Sequence, residues 1–264
     1  MFNRFQLIQK YLKYYLSASN GQGHGMHSPF VFDFITTVLN DTQQYPSYKE
    51  MEALRRRLLG DHAKLTIEDL GAGSTTGDSK LRSIASLAKN AAKPAKYSQL
   101  LYRMVRKYQP ETIIEMGTSL GLTTGYLAAA TTRTVITMEG ANAIADQAEK
   151  NFSELASQNV RLIRGNFDDT LAALLNEIPR IDFAFVDGNH REEPTLRYFQ
   201  QLISHINNDS VIVLDDIHWS EGMEKAWRKI QSHQAVRCTL DLFFIGIVFF
   251  RQEFKEKQHF TIRF

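Results

Sequence analysis

The stretch Glu115-Met116-Gly117-Thr118-Ser119-Leu120-Gly121 decides how this chain is read. A β-branched, apolar run over 112–115 leads into it and a helical pattern begins at Leu122, so it is a strand-to-helix turn. Glycine at 117 and 121 permits a sharp turn and close approach of a ligand to the backbone, and the helix N-terminus would face that ligand. The dinucleotide fingerprint G-x-G-x-x-G is not met, because the two glycines stand four apart and an acid, Glu115, ends the strand.

Working outward, short strand-like runs alternate with helical patterns, the rhythm of βαβ units around a parallel sheet. Strands are predicted at 112–115, 134–138, 160–164, 183–186 and 211–214, with helices at 122–130, 141–156, 169–175, 193–206 and 221–231 between and after them. Two further runs, 236–240 and 243–250, leave no room for a helix between them and must pair antiparallel. The expectation is an α/β fold: a doubly wound, seven-stranded, mostly parallel sheet with ligands at the C-terminal edge of its strands. Upstream, 2–16, 30–39, 47–59, 78–91 and 96–108 read as helices, with Ser28 and Pro29 opening the second. A boundary near 93–96 follows, giving a helical N-terminal extension, 1–95, and a ligand-binding domain, 96–264.

The chain has 264 residues, 43% hydrophobic and 23% charged, which suits a soluble globular protein. Lys and Arg total 31 against 29 Asp and Glu, so the net charge of +2 calls for no polyanionic partner. Arg55-Arg56-Arg57 reads as the solvated face of a helix, and no nucleic acid is expected. One cysteine, Cys238, fits a reducing compartment. The N-terminus lacks a signal-peptide core, and the longest apolar run, 242–250, is about half a membrane span. The expected location is cytoplasmic, with no membrane partner; a homo-oligomer is compatible with the sequence.

A carboxylate at 115 suits the cationic part of S-adenosylmethionine better than a pyrophosphate. Glu139, 24 residues on at the end of the second strand, can accept both hydroxyls of a ribose. With these residues the chain resembles the class I S-adenosylmethionine-dependent methyltransferases, and within them small-molecule O-methyltransferases of the catechol and sugar type, over roughly 96–250. The resemblance implies that Glu115, Gly117, Thr118, Ser119 and Gly121 hold the methionine end and Glu139 the ribose. It places Gly165, Asn166 and Phe167 at the adenine, where the family usually has Gly-Asp-Ala. A second loop, Glu68-Asp69-Leu70-Gly71-Ala72-Gly73-Ser74, imitates this motif but no strand ending in an acid follows it; it reads as a loop of the helical region. The N-terminal third, with Gly25-Met26-His27-Ser28-Pro29-Phe30, resembles that of uncharacterised bacterial methyltransferases. His24 and His27 read as an unligated turn rather than a metal pair.

Asp187-Gly188-Asn189-His190 and Asp215-Asp216-Ile217-His218-Trp219 follow the fourth and fifth strands, which lie about 4.8 Å apart if adjacent. Three carboxylates so close repel one another unless a cation sits between them. Asp187, Asp215 and Asp216 are therefore expected to hold Mg2+, an ion that takes oxygen ligands; the competing reading is that these acids cap helices without metal. By the resemblance, Asp187 also belongs to the cofactor site. A hydroxyl acceptor needs a proton acceptor, and Asp187 and His190 are the candidates, with a cap of the next helix as the competing reading of His190. Trp219 reads equally as an acceptor wall and as a core anchor. The function expected is methyl transfer to a hydroxyl oxygen of a small-molecule acceptor. The alternatives are an RNA or protein methyltransferase, a nicotinamide-dependent oxidoreductase, which Glu115 disfavours, and a non-catalytic binding module.

Overall fold

The computed structural model describes residues 1–67 and 81–264. In chain order the elements are α1 (Arg4–Ser17), α2 (Pro29–Phe34) running into a π-helical turn (Ile35–Leu39), α3 (Pro46–Leu59), β1 (Lys64–Thr66), β2 (Leu81–Ser83), α4 (Ile84–Asn90) and α5 (Ala95–Tyr108). There follow β3 (Ile113–Met116), α6 (Leu122–Ala129), β4 (Val135–Glu139), α7 (Asn142–Glu154), β5 (Val160–Arg164) and α8 (Phe167–Glu177). The chain continues with β6 (Ile181–Val186), α9 (Glu192–Leu202), a 3-10 turn (Ile203–His205), β7 (Ile206–Asp215), α10 (Glu221–Ser232), β8 (Cys238–Asp241), β9 (Ile245–Phe249) and β10 (Gln258–Thr261).

The main sheet among the described residues has eight strands, ordered β10-β8-β9-β7-β6-β3-β4-β5. The seven expected strands are all present; the addition is β10, which pairs parallel with β8 from Gln258↔Cys238 to Thr261↔Asp241. It is only four residues long and three of them, Gln258, His259 and Thr261, are polar, so no apolar alternation marks it. As expected, β8 and β9 are antiparallel. The fifth strand of the sequence reading starts five residues earlier, at Ile206, because its register on β6 jumps from Ile181↔Ile206 to Phe183↔Val211. The inserted residues are held by Ser210, whose Oγ donates to the Ile181 carbonyl at 2.6 Å and accepts from the Asn207 amide at 2.7 Å.

The chain divides into two compact units, 42–177 and a second made of 1–41 with 178–264. In the first, β3 and β4 pair parallel in the register Ile113↔Val135, and β4 and β5 in the register Val135↔Val160. All of β3 is buried, as a strand covered on both faces must be, which explains its unbroken apolar run apart from Glu115. Leu54, Leu58, Ile84, Leu87, Leu120 and Ile144 form one core cluster here. The expected helix over 78–91 is, among the described residues, the strand β2 followed by α4; Ser83 caps α4 by accepting from the Ser86 amide, and β2 pairs antiparallel with β1. The look-alike loop 68–74 lies outside the described residues.

In the other unit β6, β7 and β9 carry the core, with Phe183, Phe185, Val213 and Phe249 buried. Helix α10 illustrates why the local sequence folds as it does. Ser220 caps it by accepting from the Met223 amide, Glu221 and Glu224 lie at its positive end, and Met223, Ala226, Trp227 and Ile230 bury one face. No helix among the described residues is long and apolar enough to cross a membrane.

Candidate functional site

Within unit 42–177 the loop after β3 is folded tightly against the end of β4. The amides of Gly117 and Thr118 both donate to the Met138 carbonyl, at 3.0 and 3.1 Å. Gly117, Ser119 and Gly121 all have positive φ, at 109°, 49° and 76°. Glycine at 121 is required twice over: the conformation strains any other residue, and a Cβ there would meet Phe152 Cε1 at 2.5 Å. The turn delivers the Ser119 amide to Glu139, whose Oε2 accepts it at 2.9 Å while Oε1 accepts from the Ala141 amide at 2.9 Å. Burial pushes the Glu139 carboxyl above its ordinary range, an effect that the amides of Ala141, Ser119 and Gly140 only partly oppose.

Glu115 takes a different posture from the one its place in the motif suggests. It is fully buried, and one carboxylate oxygen accepts from the hydroxyls of Thr124 on α6 and Thr137 on β4, the latter at 2.6 Å. Thr118 and Thr137 hydroxyls lie 2.6 Å apart, so a chain of threonines runs beneath the loop. Sequence reasoning missed Thr124 and Thr137. The available signal was a hydroxyl residue in an otherwise apolar helix start and strand, each within reach of a buried acid. At the end of β5, Gly165 has φ of 131° and Asn166 acts as a helix cap. Its Oδ1 accepts from the Asp168 amide at 3.0 Å and its carbonyl from the Thr170 amide at 3.0 Å, with half-buried Phe167 as the first residue of α8.

In the other unit, Asp187 and Asp215 lie at the ends of parallel strands β6 and β7, one step beyond the pair Val186↔Leu214. Asp215 is buried, and His190 Nε2 lies 3.5 Å from Asp187 Oδ1. Ligand atoms of Asp187, His190 and Asp215 fall within 4.8 Å of one another, the grouping of potential metal ligands found among the described residues. Asp216 is not in that group. Its φ of 53° turns the chain away from the strand, and its amide donates to the Phe244 carbonyl at 2.7 Å. Asn189, at φ 59°, donates to the Tyr198 hydroxyl at 3.0 Å, and this turn is what brings His190 back toward Asp187. His24 and His27 are exposed and join no such group. Trp219 is half-buried, and its carbonyl accepts from the Phe2 amide at 3.1 Å.

Two arginines of the basic triplet on α3 are paired, Arg55 with Glu52 at 3.0 Å and Arg57 with Glu154 at 2.7 Å. A separate buried polar knot surrounds His218. Its Nδ1 lies 3.0 Å from Glu224, its Nε2 lies 2.9 Å from Asp241, and its ring stacks on Phe243.

Residues 114–217 match the family described as "Methyltransferase domain". A curated relative, the uncharacterised protein R132 of Acanthamoeba polyphaga mimivirus, is 31% identical over 71 residues, a match that spans 25% of this chain and about a third (32%) of that protein. Among solved structures, the S-adenosylhomocysteine-bound methyltransferase PaMTH1 of Podospora anserina is similar with a TM-score of 0.59 at 13% identity, covering 85% of this chain and 97% of that one. The O-methyltransferase of Bacillus cereus in complex with S-adenosylhomocysteine gives 0.54 at 19% identity, over 80% and 93%. TomG, the O-methyltransferase of Streptomyces achromogenes involved in tomaymycin synthesis, solved with S-adenosylmethionine, gives 0.56 at 17%, over 80% and 92%. At these identities the likeness establishes the fold, a Rossmann-like methyltransferase fold.

Proposed function

We propose, from the premise of a methyltransferase fold with a methyltransferase-domain match over residues 114–217, that this chain moves the methyl group of S-adenosylmethionine to a hydroxyl oxygen of a small molecule. The observation that carries the reading is the Glu139 carboxylate, held at the end of β4 against the amide of Ser119. Its charge is under-compensated by burial, so two neutral hydroxyl donors from a ribose would stabilise it. The loop 117–121 and the turn 165–167 would line the rest of the cofactor, their glycines letting the backbone approach it closely. Glu115, sealed beneath the loop by Thr124 and Thr137, lends negative charge to the methionine end from below. The cofactor supplies an electrophilic methyl carbon on a sulfonium.

Aligning the acceptor oxygen and removing its proton is the task of the protein. Asp187 and His190 do this: His190 takes the proton, and Asp187, 3.5 Å from its Nε2, orients the ring. That relatives in the fold are O-methyltransferases supports oxygen as the acceptor atom. A second reading rests on the cluster Asp187, His190 and Asp215. With an imidazole in the set, it suits manganese or zinc better than the Mg2+ expected from three carboxylates. Such an ion would lower the pKa of a coordinated hydroxyl.

Calorimetric titration tests the central claim. S-adenosylhomocysteine should bind and NAD should not, and Glu139→Ala should weaken binding by about 10- to 100-fold, the loss of one or two hydrogen bonds to a charged group. Equal affinity for NAD, or an unchanged dissociation constant in a folded Glu139→Ala protein, would overturn it.

A further inference from the structure

Helix α1 is finished on one side only. Asn3 and Gln6 close a capping box at its start. Its inward side is fixed: Tyr14 and Ala18 are buried with Phe243, the Tyr14 hydroxyl donates to the Ile262 carbonyl, and Lys10 Nζ lies 2.9 Å from Glu224. On the outward side Phe5, Ile8, Leu12 and Tyr15 recur at intervals of three, four and three, with Leu16 beside them and Met1 ahead of the helix. All six are between 49% and 77% exposed. A helix serving only to cover its own unit would be polar here. The patch continues through Tyr11, whose ring lies 6.3 Å from Tyr15 and 6.1 Å from the exposed ring of Phe244.

We propose that this stripe is a self-association surface, α1 packing against α1 of a second copy of the chain across a twofold axis. Two features select that occupant. The 4-3 repeat makes a narrow seam, the geometry one helix offers another, whereas a helix lying in a membrane surface uses a wider apolar face. The six side chains expose on the order of 700 Å² together, more than a monomer ordinarily leaves open and close to what one partner buries in a stable interface. In heptad terms Gln9 and Leu16 flank the seam on one side and Arg4 and Tyr11 on the other, and the Arg263 guanidinium lies 4.9 Å over the ring of Tyr15. A surface that is the same on both copies closes as a dimer.

Sedimentation equilibrium on the full chain, from micromolar to about 200 μM, reads the association directly. A monomer–dimer equilibrium is expected, and Phe5→Glu with Leu12→Glu should weaken it at least about 100-fold with unchanged circular dichroism. Should that variant misfold, single-cysteine proteins replace it, since the native Cys238 is buried. Ile8→Cys should then form an intermolecular disulfide under mild oxidation, whereas Gln6→Cys, off the seam, should not. The proposal is overturned if the wild type stays monomeric throughout, with or without binding to phosphatidylserine vesicles. It is equally overturned if the folded double variant dimerises like the wild type, or if Gln6→Cys cross-links as readily as Ile8→Cys.

Discussion

His218 shows how far one side chain's environment can depart from what its place in the sequence suggests. Burial pulls its imidazole pKa down, but hydrogen bonds and charge from Asp241, then Glu224, outweigh this and hold the pKa above its ordinary value. A group whose folded pKa is raised contributes stability in full below its unfolded pKa, about 6.5, and loses it as pH rises through the folded value. His218→Ala should therefore cost roughly 1–3 kcal/mol at about pH 6 and distinctly less at about pH 9. Urea unfolding of both proteins at the two pH values measures this; an equal difference at both would remove the charged imidazole from the account. Nothing local in Asp216-Ile217-His218 discloses the knot, because Glu224 and Asp241 reach it from α10 and β8. Asp187 and Asp215 are different. Their positions at the ends of two strands are legible from periodicity alone, and the left-handed turns at Asn189 and Asp216 decide that the third member of the group is His190.

Among the elements, the start of α8 gives Asn166 a local task that an Asp could perform equally well. Both residues have a short side chain with an oxygen that accepts a backbone amide at a helix start, and here it accepts from Asp168. Asn166→Ala should lower stability by about 1 kcal/mol and Asn166→Asp should leave it nearly unchanged, as thermal melts would register. A cost for Asp equal to that for Ala would mean that the cap is not what selects the residue. The loop after β3 is less forgiving. Gly121→Ala forces a Cβ against Phe152 in a left-handed conformation and should cost on the order of 1–3 kcal/mol, with weaker cofactor binding because the Ser119 amide shifts from Glu139. Full stability in that variant would contradict the packing described. These turns were readable, since glycine at a strand-to-helix junction has a local cause. Strand β10 was not, because four residues, three of them polar, gain strand character only from pairing with β8.

For the molecule as a whole, a ligand that binds only the native state raises its melting temperature by mass action. If Asp187, His190 and Asp215 hold a cation, manganese or zinc should raise the melting temperature more than magnesium at equal concentration, and Asp215→Asn should abolish the gain. Asp216→Asn should leave it in place, the opposite of what a three-carboxylate site requires. Melting curves indifferent to all three ions would leave Asp187 and His190 to manage the acceptor proton without metal.

The sequence by itself determined the alternation of strands and helices from residue 112 onward, the turn at Gly117 and Gly121, and the strand-end acids Glu115, Glu139, Asp187 and Asp215. These follow from side-chain periodicity and backbone freedom, which act over a few residues. Only the tertiary structure decided that Glu115 is sealed by two threonines, that His190 rather than Asp216 joins the aspartates, and that 1–41 packs with 178–264. Each depends on residues far apart in the chain being brought within a few ångströms, and contacts of that kind leave no periodic trace in any one segment.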